Sequence, residues 1–265
     1  MTDIDIYEEI IRIKKEGEEA ALATVISAGG STPREEGAKM LVRADGSILG
    51  TIGGGGLEAR IMKEAAEVIR TGESKHLIFR LTEKEELGLL CGGDAGVFIE
   101  PIVSLPTLYI FGGGHIGFPL AKMANLVDFR VVVIDNRPEF ANPERFPEAE
   151  QTLVEDHNTA FSNLKVDKLS YIVIITHGHK GDETVLEGAL ATKARYIGMI
   201  GSKAKVKTVF SHLLNKGISQ ELLDRVHAPI GLAIGAETPE EIAVSILAEI
   251  IQIKRSPLPD NRKTE

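Results

Sequence analysis

Three stretches in the second half of the chain have residue types whose spacing suits chemistry. The first is Gly112-Gly113-Gly114-His115-Ile116-Gly117, a Gly-x-Gly-x-x-Gly turn. In such a turn Gly112 makes the tight bend, Gly114 lets the backbone approach a pyrophosphate and Gly117 permits close helix–strand packing. Asp135 follows about 20 residues on, where a carboxylate would bond a ribose hydroxyl. Arg137 stands close enough to admit a phosphorylated ribose instead. The second stretch is Thr176-His177-Gly178-His179 with Asp182. Two imidazoles and a carboxylate can ligate a metal, and His177 or His179 can act as acid or base near neutral pH. The same side chains would equally line a cleft and cap the next helix. The third is Gly198-Met199-Ile200-Gly201-Ser202-Lys203, with Lys205 beyond it. Gly201 would let the backbone meet a ligand while Ser202 and Lys203 donate to an anion. The plainer reading is a helix cap flanked by solvated lysines.

The first half has candidates of another kind. Ser31, Thr32 and Arg34 surround Pro33 in a turn rich in anion donors, and Gly53 to Gly56 open a helix. Glycines that dense are unfavourable unless the backbone needs unusual dihedrals or close approach, which makes Gly55 and Gly56 candidates for an anion nest. Cys91 is the single cysteine, set before Gly92-Gly93 in a loop. It reads either as a buried apolar filler or as a reactive thiol.

These residues need elements to position them. Residues 5–15 have a helical apolar stripe, and 21–26 form a buried strand. Residues 39–43 and 47–52 read as hairpin arms around Asp45-Gly46. A helix spans about 57–70, closed by Gly72, and strands follow at 76–81 and 96–102. After a proline-flanked connector the rhythm changes. Short apolar runs at 108–111, 131–134, 171–175 and 196–200 alternate with helical patterns, which implies a parallel sheet buried on both faces. A last strand at 228–232 precedes a helix with Thr238 as cap, Pro239 in its first turn and Glu241 completing a capping box. The fold class is therefore α/β: a small α+β domain over residues 1–104, then a Rossmann-type doubly wound parallel sheet over 105–265.

Bulk properties narrow the partners. The 265 residues carry a net charge of −9, with 43% hydrophobic, 26% charged and only 5% aromatic residues. That charge and the lack of stacking rings argue against a nucleic-acid partner. The acidic start has no signal-peptide character, no uncharged run reaches a membrane span, and a lone cysteine fits a reducing cytoplasm.

Taken together the motifs resemble the XdhC/CoxI family, accessory proteins of molybdenum hydroxylases such as xanthine dehydrogenase. The matching features are Gly30 to Arg34 with Gly37 to Met40, the glycine turn ending Leu57-Glu58, and Cys91-Gly92-Gly93 leading to Glu100-Pro101. They continue with Gly112 to Gly117, Asp135 to Glu139, Thr176 to His179, Gly198 to Lys203 and Ile230 to Glu241, covering nearly the whole chain in order. The resemblance implies an N-terminal XdhC/CoxI domain joined to a Rossmann domain. It implies an accessory protein that binds the molybdenum cofactor (molybdopterin or its dinucleotide form) and assists its maturation and insertion into a xanthine dehydrogenase-like apo-hydroxylase. Assistance from a cysteine desulfurase belongs to the same implication. On this reading Cys91 is a soft contact to molybdenum or its sulfur. Ser31, Thr32, Arg34 and the glycine nests then hold anionic or pterin groups. Two positions depart from the family pattern: Gly56 stands where many members have cysteine, and Gly178 where aspartate is usual. The first leaves Cys91 as the only thiol for any sulfur relay.

The turn alone leaves other functions open. An NAD(P)-dependent oxidoreductase would use His177 or His179 as acid/base, and a nucleotide-sensing regulator would bind without chemistry. The resemblance favours a cofactor chaperone over a turnover enzyme, and a homodimer is the base-rate expectation for its assembly.

Overall fold

The computed structural model describes residues 3–30, 35–80 and 93–256, which form two compact units, Met1–Leu105 and Pro106–Glu265. Ser31, Thr32, Arg34 and Cys91 lie outside the described residues, as does the side chain of His179.

The first unit contains helix α1 (Asp3–Glu16), strands β1 (Ala20–Gly30), β2 (Lys39–Arg43) and β3 (Ile48–Gly50), helix α2 (Gly55–Thr71), and strands β4 (Lys75–Arg80) and β5 (Gly93–Ile102). The strands form one antiparallel sheet in the order β3-β2-β1-β5-β4. Alternation along β1 serves both faces. Ala21, Ala23 and Val25 pack with Leu57, Ile61, Ala65 and Val68 of α2, whereas Ala20 and Leu22 pack with Ile6 and Ile13 of α1. The expected hairpin arm at 47–52 shortens to β3, because Gly50 turns the chain at φ +84. Helix α2 starts two residues earlier than expected and ends, as expected, on a left-handed Gly72.

The second unit contains β6 (Thr107–Phe111), α3 (Gly117–Leu126), β7 (Arg130–Asp135), β8 (Gln151–Val154), β9 (Ser170–Ile174) and α4 (His179–Leu190). It continues with β10 (Tyr196–Met199), α5 (Lys203–Asn215), α6 (Gln220–Leu223), β11 (Val226–His227) and α7 (Pro239–Arg255). The sheet is wholly parallel in the order β8-β7-β6-β9-β10-β11. Numbered within the unit this is 3-2-1-4-5-6, the order of dinucleotide-binding Rossmann sheets. Strands β6 and β9 are buried at every position, since α4 and α5 cover one face and α3 and α7 the other. The expected α/β class with a Rossmann-type second half is what the chain adopts.

Two strands differ from expectation. β8 has no apolar run to announce it, because an edge strand is only half covered. The last strand is β11, and 228–232 is loop. Pro229 has no N–H for a ladder, and Gly231 sits at φ +96 with its N–H given to Glu249 instead. Helix α7 carries the full capping box of Thr238 and Glu241. Among the described residues no helix is long and apolar enough to cross a membrane.

Candidate functional site

In an open parallel sheet the chain leaves toward opposite faces after the two strands where the order reverses, and the crevice at their carboxyl ends receives ligands. Here those strands are β6 and β9, so the glycine turn and the Thr176 loop flank the crevice. The glycines of the turn have separate tasks. A Cβ on Gly112 would overlap the carbonyl of Ile175, and one on Gly117 would overlap the carbonyl of Gly112. Gly113 is pressed against the Phe140 carbonyl. At Gly114 a Cβ would meet nothing within 4 Å. Three positions thus lock the turn into the fold, and the fourth leaves the gap through which backbone can meet a ligand. Helix α3 begins at Gly117 without a side-chain cap; Phe118 N–H is taken by Gly114 O (3.1 Å) and Pro119 has none, so of its first three positions Gly117 has the N–H left to face an anion.

Asp135 closes the turn from the end of β7. Its Oδ2 accepts from Gly113 N–H (3.0 Å) and Arg137 Nη2 (3.0 Å). Its Oδ1 accepts from Arg137 N–H (3.1 Å) and Nε (2.9 Å). Burial opposes the charge of a carboxylate only 3% exposed, but the Arg137 guanidinium and the Gly113 N–H outweigh it and hold the carboxyl below its ordinary range. The ribose-binding acid expected from sequence is therefore the anchor of the turn in this structure. Arg137, partly exposed, is the charge next to the crevice.

The Thr176 loop is anchored by a second acid. Asp182, fully buried, accepts from Thr176 N–H (2.9 Å) and Thr176 Oγ1 (2.7 Å) through Oδ1, and from Lys205 Nζ through Oδ2. That ties the end of β9 to the start of α5. His177 is exposed, and Gly178, the N-cap of α4 at φ +95, offers no side-chain cap. Among the described residues no group of three His, Cys, Asp or Glu side chains could hold a metal ion, and both Asp182 oxygens already have protein donors. Gly201 faces the stem of Lys205, Ser202 caps α5 by accepting from Lys205 N–H (3.2 Å), and Lys203 is exposed in its first turn. The structure thus brings Gly112, Gly114, Gly117, Asp135, His177, Asp182, Gly201, Ser202 and Lys203 to the carboxyl edge of one sheet. Gly55 and Gly56 belong to the other unit, where they open α2 after Gly54, which sits at φ +85.

Three side chains that the sequence did not flag stand at the same edge. Arg145 donates through Nε to Gly113 O (3.1 Å) and lies over the rings of Phe118 and Phe140 at 4.7 and 5.5 Å. Its segment is folded over the turn by Asn142, which donates to Pro138 O (2.9 Å) and accepts from Arg145 N–H (2.9 Å). His157, just after β8, has a buried Nδ1 with no hydrogen-bond partner among the described residues, and its ring lies beside Gly181. Glu249 of α7 takes bonds from Tyr196 Oη, Gly231 N–H (2.9 Å) and His227 Nδ1 (3.2 Å). Burial opposes its charge, but these donors hold the carboxyl low and fix the loop after β11. Neither arginine nor histidine has a motif around it. The signal that would have found His157 is β8 itself.

Comparison with known proteins agrees with this architecture unit by unit. Residues 13–81 match the XdhC and CoxI family and residues 108–250 match the XdhC Rossmann domain. The uncharacterized protein YqeB of Escherichia coli strain K12 is 35% identical over 96% of this chain, which spans 47% of that protein. A protein of Bacillus subtilis strain 168 named as a probable xanthine dehydrogenase subunit is 34% identical over 60% of this chain and 46% of its own length. The chain thus spans about half the length of these two curated relatives. The molybdenum cofactor insertion chaperone PaoD of Escherichia coli strain K12 is 24% identical over 94% of this chain and 89% of its own. The crystal structure of a xanthine dehydrogenase from Bacillus halodurans shares the fold at a TM-score of 0.55, covering 98% of both chains at 24% identity. With both family matches in place, each within one of the two units, the chain belongs to the XdhC and CoxI family.

Proposed function

We propose that this protein binds the molybdenum cofactor, shields it and passes it to an apo molybdenum hydroxylase, acting as a carrier rather than a turnover enzyme. The observation that carries this reading is the gap at Gly114, a position at the switch point of a 3-2-1-4-5-6 sheet that a Cβ would occupy. A phosphate or pyrophosphate would fit there, facing the Gly117 N–H at the start of α3. The turn from Gly112 to Gly117 would hold that end, with the donors of Gly201, Ser202 and Lys203 along the same edge. When bound, the cofactor supplies the redox-active molybdenum. The protein's part is to hold its anionic end and keep water away. PaoD, a relative named as a cofactor insertion chaperone, supports the reading.

We read residues 1–104 and 105–265 as two domains with separate tasks. The first offers Ser31, Thr32, Arg34, Gly55 and Gly56 as donors and Cys91 as a soft thiolate contact. With Gly56 in place of the family cysteine, delivery without a two-thiol sulfur relay follows, and a cysteine desulfurase would act on the cofactor independently of a second protein thiol. The cytoplasm is the proposed location and a homodimer the proposed assembly.

The test is direct. Released cofactor, incubated anaerobically with the purified protein and passed through a sizing column, should stay with it at one molybdenum per chain, read by metal analysis and pterin fluorescence. Cys91→Ala should weaken retention. Free passage of the cofactor at micromolar protein refutes the proposal. The strand order also suits an NAD(P)-dependent oxidoreductase, which hydride transfer in a dehydrogenase screen would reveal.

A further inference from the structure

The far end of the crevice, at the carboxyl end of β7, is built for donors rather than acceptors. A carboxylate offers about four lone-pair sites, and at Asp135 four donors fill them: two Arg137 nitrogens of the side chain, the Arg137 N–H and the Gly113 N–H. A ribose diol needs an open acceptor here, and Asp135 has none left. Donors remain. Among the described residues, Arg137 Nη1 and both Nη atoms of Arg145 make no hydrogen bond. Both guanidiniums lie against one ring, Arg137 at 3.9 Å and Arg145 at 5.5 Å from the Phe140 centroid. Arg137 is ion-paired to Asp135 and also feels Glu139, whereas Arg145 makes no ion pair with a carboxylate among the described residues.

We infer that Arg137 and Arg145 form a phosphomonoester site, and that the crevice selects ligands bearing a phosphate beside the turn over ligands presenting a bare ribose diol. This rests on the crevice being a nucleotide-type site, as proposed above. Each guanidinium stacks on Phe140; the Nη pair of Arg145 and the Nη1 of Arg137 are the donors left for a phosphate dianion, by charge-assisted bonds that a hydroxyl cannot replace. Two sources carry that chemistry: the 2′-phosphate of a dinucleotide, and the terminal phosphate of a pterin cofactor not yet extended by a nucleotide.

Two pairs of probes separate them. Calorimetric titration of the whole chain compares NADP+ with NAD+, and column retention compares the phosphomonoester form of the pterin cofactor with its dinucleotide form. A preference of about tenfold or more for the phosphorylated member of either pair supports the inference and names the source. Parity or the reverse preference in both pairs overturns it, as does failure of every probe to bind. Cofactor retained equally in both forms, with NADP+ and NAD+ also at parity, would leave the carrier proposal standing while removing this one. Arg145→Ala, which breaks no ion pair, should cut the preference several-fold. Arg137→Lys, which keeps the partner charge of Asp135, should do the same through loss of the free Nη1 donor. Melting curves of both variants confirm folding, and an unchanged preference in both folded variants also overturns the assignment.

Discussion

Each unit of this protein opens a helix with a run of glycines, and the two runs weigh space and dihedrals differently. At Gly112 to Gly117 the demand is chiefly for space, although Gly112 also sits at φ +121. Backbone carbonyls of Ile175, Phe140 and Gly112 occupy the places where three side chains would begin. At Gly53 to Gly56 the demand is for dihedrals: Gly54 sits at φ +85 with nothing within 4 Å of a would-be Cβ. The anchors differ too. The first turn of the Rossmann unit is closed by a carboxylate ion-paired to arginine, whereas the other is closed by Glu58, which accepts from Thr51 Oγ1 and Ile52 N–H. A crowded turn is rigid and defines one gap.

Substitutions should separate these cases. Gly117→Ala has the largest expected effect, because the obstacle is a backbone oxygen that cannot rotate away. The overpacking should destabilise the second unit by about 3 kcal/mol. That corresponds to a loss of roughly 6–12 °C in Tm for a unit of this size. A variant melting like the parent would show that the turn is not clamped as described.

Next comes the ion pair. Asp135→Asn leaves Arg137 without its counter-charge and sets an amide N–H2 against donors, so a loss of about 2 kcal/mol is expected, less than for a fully buried pair because Arg137 is 29% exposed. The same group gives a pH signature. Its folded pKa is depressed, so its contribution is complete above the unfolded value of about 3.9 and is lost as pH falls through the folded value. Acid denaturation of the parent should therefore be steeper below about pH 4 than that of Asp135→Asn. Parallel acid profiles for the two would remove Asp135 as the electrostatic anchor.

What the sequence made legible follows the same division. Strands β6 and β9 are buried on both faces, so their composition alone announces them, and the glycine spacing then locates the crevice. Edge elements escape this logic. β8 has exposed ends and only half-covered middle positions, and without it His157 has no visible place in the site. Arg145 acts through the peptide of Gly113 and the rings around it, contacts that join positions 32 residues apart and leave no local pattern. Asp135 was legible as a residue but not as a state. Its position after β7 points to an acceptor at the crevice, and the geometry adds that Arg137, two residues on, and Gly113 donate to its carboxylate.

A smaller effect is expected at the other turn. Gly54→Ala places a Cβ in open space, so the penalty is conformational alone, about 1 kcal/mol. Its melting transition should shift by a few degrees while nucleotide titrations of the second unit stay unchanged. A loss comparable to Gly117→Ala would mean that this turn, too, is limited by contact.

The smallest effect on stability should fall at Gly114, and for that reason it tests the comparison most sharply. Gly114 is not among the glycines at positive φ, and a Cβ there meets nothing within 4 Å. Neither reason that fixes the other glycines applies to it. Folding gives no account of a glycine at this position, so the account must come from something outside the chain that approaches the backbone. Gly114→Ala should therefore melt within about 0.5 kcal/mol of the parent. Yet it should weaken retention of released cofactor, or of NADP+ in titration, by about tenfold or more, since the methyl occupies the approach to the turn and to the Gly117 N–H at the start of α3. Undiminished binding in a stably folded Gly114→Ala would move the ligand away from the switch point and leave the crowded turn as packing only.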